Sequence, residues 1–95
     1  MAGDRVTKRL VVSGGVQGVG YREWTIEQAR ALDIAGWVRN RRDGSVEILA
    51  AGEEAAISEL ARRCEQGPAA ARVDQVAAVE ASDQVMSGFE WRPTA

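Results

Sequence analysis

No histidine occurs anywhere in the 95 residues, and cysteine occurs once, at Cys64. The first absence removes Ser–His and Cys–His nucleophile pairs and every zinc pattern built on histidine. The second excludes an internal disulfide and a thiolate metal cluster, a composition that suits a reducing compartment. Any catalysis by this chain therefore falls to arginine, asparagine, carboxylates or backbone dipoles. No apolar run approaches the length of a membrane span, and no signal-peptide pattern opens the chain. The expected location is the cytoplasm, with no membrane partner, no metal and no cofactor.

What is present fits one small soluble domain, with 45 % apolar and 27 % charged residues. Residues 1–5 read as a disordered leader and residues 6–92 as the domain. The net charge of -2 does not suggest nucleic acid, but its distribution is uneven. Residues 1–42 carry eight Lys or Arg against four acids, and residues 43–95 carry four against ten. If the positive half lines a site, small anions are the ligands it favours.

Val6 to Ser13 reads as a strand, ended by Ser13-Gly14-Gly15. From Tyr21 the period becomes helical, with Tyr21, Trp24, Gln28, Ala29 and Leu32 on one face, until about Asp33. Gly36–Asn40 and Ser45–Ala50 flank Arg41-Arg42-Asp43-Gly44, and Asp-Gly between two such runs predicts a hairpin. Glu53 and Glu54 favour a helix start through its dipole, Ile57, Leu60, Ala61 and Cys64 give that helix an apolar face, and Gly67-Pro68 ends it. Arg72–Glu80 is a strand whose valines, Val73, Val76 and Val79, are spaced by three, which predicts a bulge or an irregular edge. Phe89 and Trp91 share one face of a last short strand, and core packing is the expected use of Trp24, Trp37 and Trp91. The order β-α-β-β-α-β plus a terminal strand predicts an α+β, ferredoxin-like split βαβ fold: an antiparallel sheet with two helices on one face.

The stretch Gly14 to Gly20 joins a strand to a helix N-terminus, the general arrangement for binding phosphate. Glycines let successive N–H groups turn inward as an anion nest, and the helix dipole adds positive potential there. Arg22 lies in the first helical turn, where that dipole disfavours a cation. It therefore calls for an anion, either Glu23 or an incoming phosphate that its guanidinium matches two oxygens at a time. The loop is neither a P-loop, since Gly20 is followed by Tyr21-Arg22, nor a dinucleotide fingerprint, since Gly18-x-Gly20 leads to Glu23.

Gly15-Val16-Gln17-Gly18-Val19-Gly20-Tyr21-Arg22 resembles the first signature of the acylphosphatase family. Gly36-Trp37-Val38-Arg39-Asn40, followed by Asp43-Gly44-Ser45-Val46-Glu47, resembles the second, and the similarity runs from about Val6 to Trp91. The resemblance implies metal-free hydrolysis of acyl phosphates to a carboxylate and orthophosphate. It implies that Arg22 and the loop amides of Gly15, Val16, Gln17, Gly18, Val19 and Gly20 hold the phosphate. Asn40 would position the attacking water. A neutral amide cannot act as a general base, so the water's proton would pass to a phosphate oxygen. Three positions depart from the family pattern: Gly15 where many relatives carry a larger residue, Tyr21 in place of Phe, and Asp33 where Gly commonly ends the first helix.

The resemblance implies a small acyl phosphate as substrate and inorganic phosphate as product and inhibitor, with a monomer expected. A non-catalytic module for small phosphates or carbamoyl phosphate is the alternative. An RNA-binding sheet ranks last, because Leu10-Val11-Val12 and Ile48-Leu49-Ala50 lack stacking aromatics.

Overall fold

The computed structural model describes residues 5–85 and 87–95. Of the expected leader, residues 1–4 lie outside this range, and Arg5 already opens the first strand. Strand β1 (Arg5–Gly15) is followed by helix α1 (Tyr21–Ala31), strands β2 (Ala35–Asn40) and β3 (Val46–Glu53), helix α2 (Glu54–Cys64), and strands β4 (Arg72–Glu80) and β5 (Phe89–Trp91). The sheet order is β4-β1-β3-β2-β5.

Register fixes which side chains meet. Leu10 stands opposite Ile48, Val12 opposite Val46, and Val38 opposite Ile48 on the other side. All are fully buried together with Ile57, Leu60 and Cys64 of α2 and with Tyr21 and Ala29 of α1. One core between one sheet face and two helices results, as the α+β ferredoxin-like pattern requires. The face of α1 turns slightly from expectation: Tyr21, Thr25 and Ala29 are buried, while Trp24 is half-buried and packs edge-on to Tyr21. Thr25 is tolerated inside because its hydroxyl donates to the Tyr21 carbonyl at 2.8 Å.

The sheet is not antiparallel throughout. Strands β1 to β4 pair antiparallel, but β5 joins β2 in parallel, with Gly36 opposite Phe89 and Val38 opposite Trp91. The cause is topological: β4 and β5 occupy opposite edges. The chain must pass from one edge to the other, and it enters beside β2 running the same way.

The bulge lies in β4. Ser13 faces Gln75 and Gly14 faces Val73, so Asp74 is the extra residue. That insertion puts Val73 and Val76 on the same face, both packed against the core despite their spacing of three. Beyond it alternation resumes, so Val79, opposite Arg9, falls on the helix-free face and is exposed.

Two departures from the family pattern have clear structural accounts. The Tyr21 hydroxyl donates to the Cys64 carbonyl at 2.7 Å, satisfying the buried phenol, and burial pushes its pKa far above the usual tyrosine value. Burial also pushes the Cys64 thiol up to about 11. Asp33 ends α1 in a Schellman motif: Ile34 N–H donates to the Ala29 carbonyl at 2.9 Å and Asp33 N–H to that of Arg30 at 3.2 Å. Asp33 pays with φ 59°, in the left-handed region that favours glycine. Asp33→Gly is accordingly expected to stabilise the fold by about 0.5–1 kcal/mol, the relief of strain exceeding the added chain entropy. A thermal melt checks this, and a lowered midpoint would contradict it.

Candidate active site

The loop between β1 and α1 is anchored at both ends by apolar side chains. Val16 is fully buried and Val19 packs against the core. Between and after them, Gly18 (φ 74°) and Gly20 (φ 79°) take left-handed conformations. Gly20 is the N-cap of α1 and offers no side chain to the first turn. The leading N–H groups of that helix are thus left without a side-chain cap, available to an external acceptor. Gly15 has no positive φ, and a Cβ there would meet only ordinary contacts, the nearest to Arg72 Cβ at 3.6 Å. A Cβ is accommodated at that position, and glycine is not demanded there.

Gln17 ties this loop to the β2–β3 hairpin. Its Nε2 donates to the Arg41 carbonyl at 2.7 Å and to the Ser45 carbonyl at 2.9 Å. Both amide protons are thereby used, which leaves the backbone N–H of Gln17, and not its side-chain nitrogen, for a phosphate. The hairpin itself is well determined. Gly44 N–H donates to the Arg41 carbonyl and Arg41 N–H to that of Ser45, with Gly44 at φ 95°. Asp43 accepts from the Ser45 hydroxyl at 2.6 Å and from its N–H at 2.9 Å, and these bonds hold its carboxyl below the usual range.

Asn40 is the last residue of β2, opposite buried Val46, and alternation puts it on the same sheet face as Val38 and the helices. Its carbonyl accepts from Ala95 N–H at 3.0 Å, and Arg42 N–H returns a bond to the Ala95 carbonyl at 2.9 Å. Its side-chain amide makes no hydrogen bond among the described residues. The backbone around Asn40 is therefore fixed from two sides while its amide remains available.

Arg22 sits half-buried in the first turn of α1. Among the described residues no carboxylate lies within ion-pairing distance of it, Glu23 included. Instead its Cζ lies 4.7 Å from the centroid of the Trp91 ring. This corrects the expectation for Trp91, which is 48 % exposed and covers an arginine while Phe89 alone enters the core. Trp37 is buried as expected but on the helix-free face, where Arg39 and Arg92 lie 4.6 and 4.9 Å from its ring centroid.

That opposite face holds a charged group the sequence reasoning missed. Glu47 is 3 % exposed, and it takes the Arg39 Nε at 2.8 Å and an Arg41 nitrogen at 3.8 Å. Arg9 Nε lies 2.9 Å from its Oε2, close enough for an ion pair but without hydrogen-bond alignment. Arg39 and Arg41 flank Asn40 in sequence, so one buried carboxylate anchors the backbone on both sides of it. The contacts follow from strand register, with Val11 and Arg39 both opposite Glu47, which the sequence alone does not display. A larger concavity, lined by Arg5, Thr7, Gly52 and residues 81–85, lies at the far end of the sheet. None of Gly15 to Gly20, Arg22 or Asn40 lines it.

Comparison with known proteins identifies the family. The family model for Acylphosphatase matches residues 8–91. An acylphosphatase of Rhizorhabdus wittichii is 47 % identical over 91 residues, covering 96 % of this chain and 92 % of its own. The solved structure of an acylphosphatase from Coxiella burnetii superposes with a TM-score of 0.90 at 36 % identity, covering 94 % of each chain. Full-length HypF, in its phosphate- and nucleotide-bound form, also matches with a TM-score of 0.90, but at 22 % identity and over 13 % of its length, a likeness of fold alone. With the family model spanning both the glycine loop and the Asn40 hairpin, the chain belongs to the acylphosphatase family.

Proposed function

We propose that this chain is a hydrolase of acyl phosphates, with the phosphate held by Arg22 and the loop amides of Gly15 to Gly20 and the attacking water positioned by Asn40. The observation that carries the reading is Arg22: a cation in the first turn of a helix, where the dipole opposes it, with no carboxylate partner among the described residues. An arriving phosphoryl group supplies the missing charge, and the guanidinium fork meets its oxygens two at a time.

The chemistry follows from these groups. The water oxygen, oriented by the Asn40 amide, bonds to phosphorus as the bond from phosphorus to the acyl oxygen breaks. The carboxylate departs, and the water's proton goes to a phosphoryl oxygen, since an amide cannot take it. Orthophosphate and a carboxylate are the products. Charge on the phosphoryl oxygens is met by Arg22 and by N–H groups already in place, so positioning and electrostatics supply the rate. The reading is metal-free because Arg22 and the loop amides would supply the positive charge that the phosphoryl oxygens require. The reading further includes a cytoplasmic monomer. Support for the compartment comes from the single cysteine, Cys64, which is buried and free.

The test is hydrolysis of benzoyl phosphate by the purified protein with EDTA present. Turnover that persists in the chelator and is competitively inhibited by inorganic phosphate is the expected result. A folded protein that binds phosphate without turnover would leave a binding module in its place.

A further inference from the structure

Trp91 is the exposed one of the three tryptophans. It is 48 % exposed, it ends a strand of only three residues, and its ring lies beneath the guanidinium of Arg22. We propose that Trp91 is a positioning residue for Arg22, holding the guanidinium by its face so that its N–H edge remains free for phosphoryl oxygens.

The physical case rests on what an aromatic partner does differently from a carboxylate. An acid paired with Arg22 would occupy the same N–H fork that a phosphate needs and would cancel its charge. An indole attracts the cation through its ring face and leaves both charge and donors in place. It also restricts a long, flexible side chain before the substrate arrives, which reduces the ordering cost of binding. Nearby acids do not compete: Glu90 is engaged with Arg92 at 3.5 Å.

The placement of Trp91 adds a second link. It pairs with Val38 of β2, two residues before Asn40, and the following Arg92 N–H donates to the Val38 carbonyl at 2.9 Å. The platform under Arg22 and the strand that presents Asn40 are therefore one rigid piece. Arg22, on α1, is registered against Asn40 through the indole.

The inference rests on the acyl-phosphate reading only for its kinetic arm. The variants are Trp91→Phe, Trp91→Leu and Trp91→Ala, each first checked for a cooperative melt. In Trp91→Leu, which keeps apolar bulk but no ring, the inhibition constant for inorganic phosphate is expected to rise roughly five- to tenfold. Trp91→Phe should retain most of the wild-type affinity. The loss in kcat/KM should be equal for acetyl and benzoyl phosphate, because the arginine meets the phosphate they share. In the Arg22→Ala background, Trp91→Leu should have no further effect on phosphate affinity, which a merely structural role would still disturb.

A separate arm uses no substrate. The side-chain protons of Arg22 should be shifted upfield by the indole ring current in the wild type, and the shift should vanish in Trp91→Leu. Unchanged phosphate affinity in Trp91→Leu would overturn the proposal, as would absence of the ring-current shift. A defect confined to benzoyl phosphate would also overturn it, by making Trp91 a contact for the acyl group. A wild type that binds phosphate and shows the shift yet turns nothing over would sink the enzymatic reading and leave this one standing.

Discussion

Arg22→Ala is expected to lose phosphate affinity and turnover together, whereas Asn40→Ala should lose turnover alone. The guanidinium meets the phosphoryl group in the bound substrate and in the transition state alike, so its removal raises the inhibition constant of inorganic phosphate and lowers kcat/KM. Loss of one such charged contact corresponds to about 10²–10³ in rate. Asn40 holds only the water, and a comparable factor should appear in kcat with phosphate inhibition and melting temperature nearly unchanged. The structure makes this separation clean. The Asn40 backbone is pinned by Ala95 and by the hairpin, and its amide makes no side-chain hydrogen bond among the described residues, so truncation breaks nothing else. Steady-state kinetics with benzoyl phosphate, with inorganic phosphate as inhibitor, reads both results. Unchanged phosphate inhibition in Arg22→Ala would contradict its assignment. Near-normal turnover in Asn40→Ala would give the water to another residue.

The largest effect on stability is expected at Gly36, far from either of those side chains. Gly36 lies in β2 between β3 and β5, with φ 147°, and its N–H donates to the Gly88 carbonyl at 2.9 Å. A Cβ added there would come within 1.8 Å of the Leu49 carbonyl oxygen, and that atom is backbone in the middle of the sheet. Neither partner can yield without breaking pairing on one side. Gly36→Ala should therefore cost about 4 kcal/mol or more, a large share of the roughly 5–15 kcal/mol that a small domain possesses. A melting temperature lowered by about 20 °C, or a protein unfolded at room temperature, is the expected outcome. Gly52→Ala is the control. Gly52 has no positive φ, and its added Cβ would make ordinary contacts, the nearest 3.6 Å from Ile34, so its melt should shift little. Equal melts for the two variants would show that the close approach to Leu49 does not constrain β2.

Those two sites also mark what the sequence made legible. Periodicity found every element, because the buried stripes Leu10/Val12, Val46/Ile48/Ala50 and Ile57/Leu60/Cys64 repeat at the spacing their own backbone imposes. The glycine-rich loop, Arg22 and the Asp43-Gly44 turn were visible for a similar reason, since each is a local pattern. Even the bulge at Asp74 showed in the spacing of Val73 and Val76. What stayed hidden joins distant positions through side chains: Gln17 to Arg41 and Ser45, Trp91 to Arg22, Glu47 to Arg9 and Arg39. No period in the chain encodes such contacts. Trp91 was misplaced because alternation correctly assigned it the face of Phe89 but could not show that α1 presents a cation there and not an apolar surface. The parallel pairing of β5 was hidden likewise, for it depends on which edge the preceding segment reaches.

The bulge in β4 has a consequence beyond its own geometry. Strand β4 is nine residues long, lies at the sheet's margin and carries the exposed Val79, the kind of edge on which a second copy could template itself. At Asp74 the extra residue breaks the regular ladder, and an Arg72–Asp74 ion pair at 3.3 Å stands at the same point. An incoming strand would find neither a continuous row of donors and acceptors nor a flat surface to lie on. Gly14, whose missing side chain lets the bulged backbone approach, also leads the chain into the phosphate loop. The irregularity beside the site is thus a guard against misassembly, and smoothing it would trade solubility for regularity.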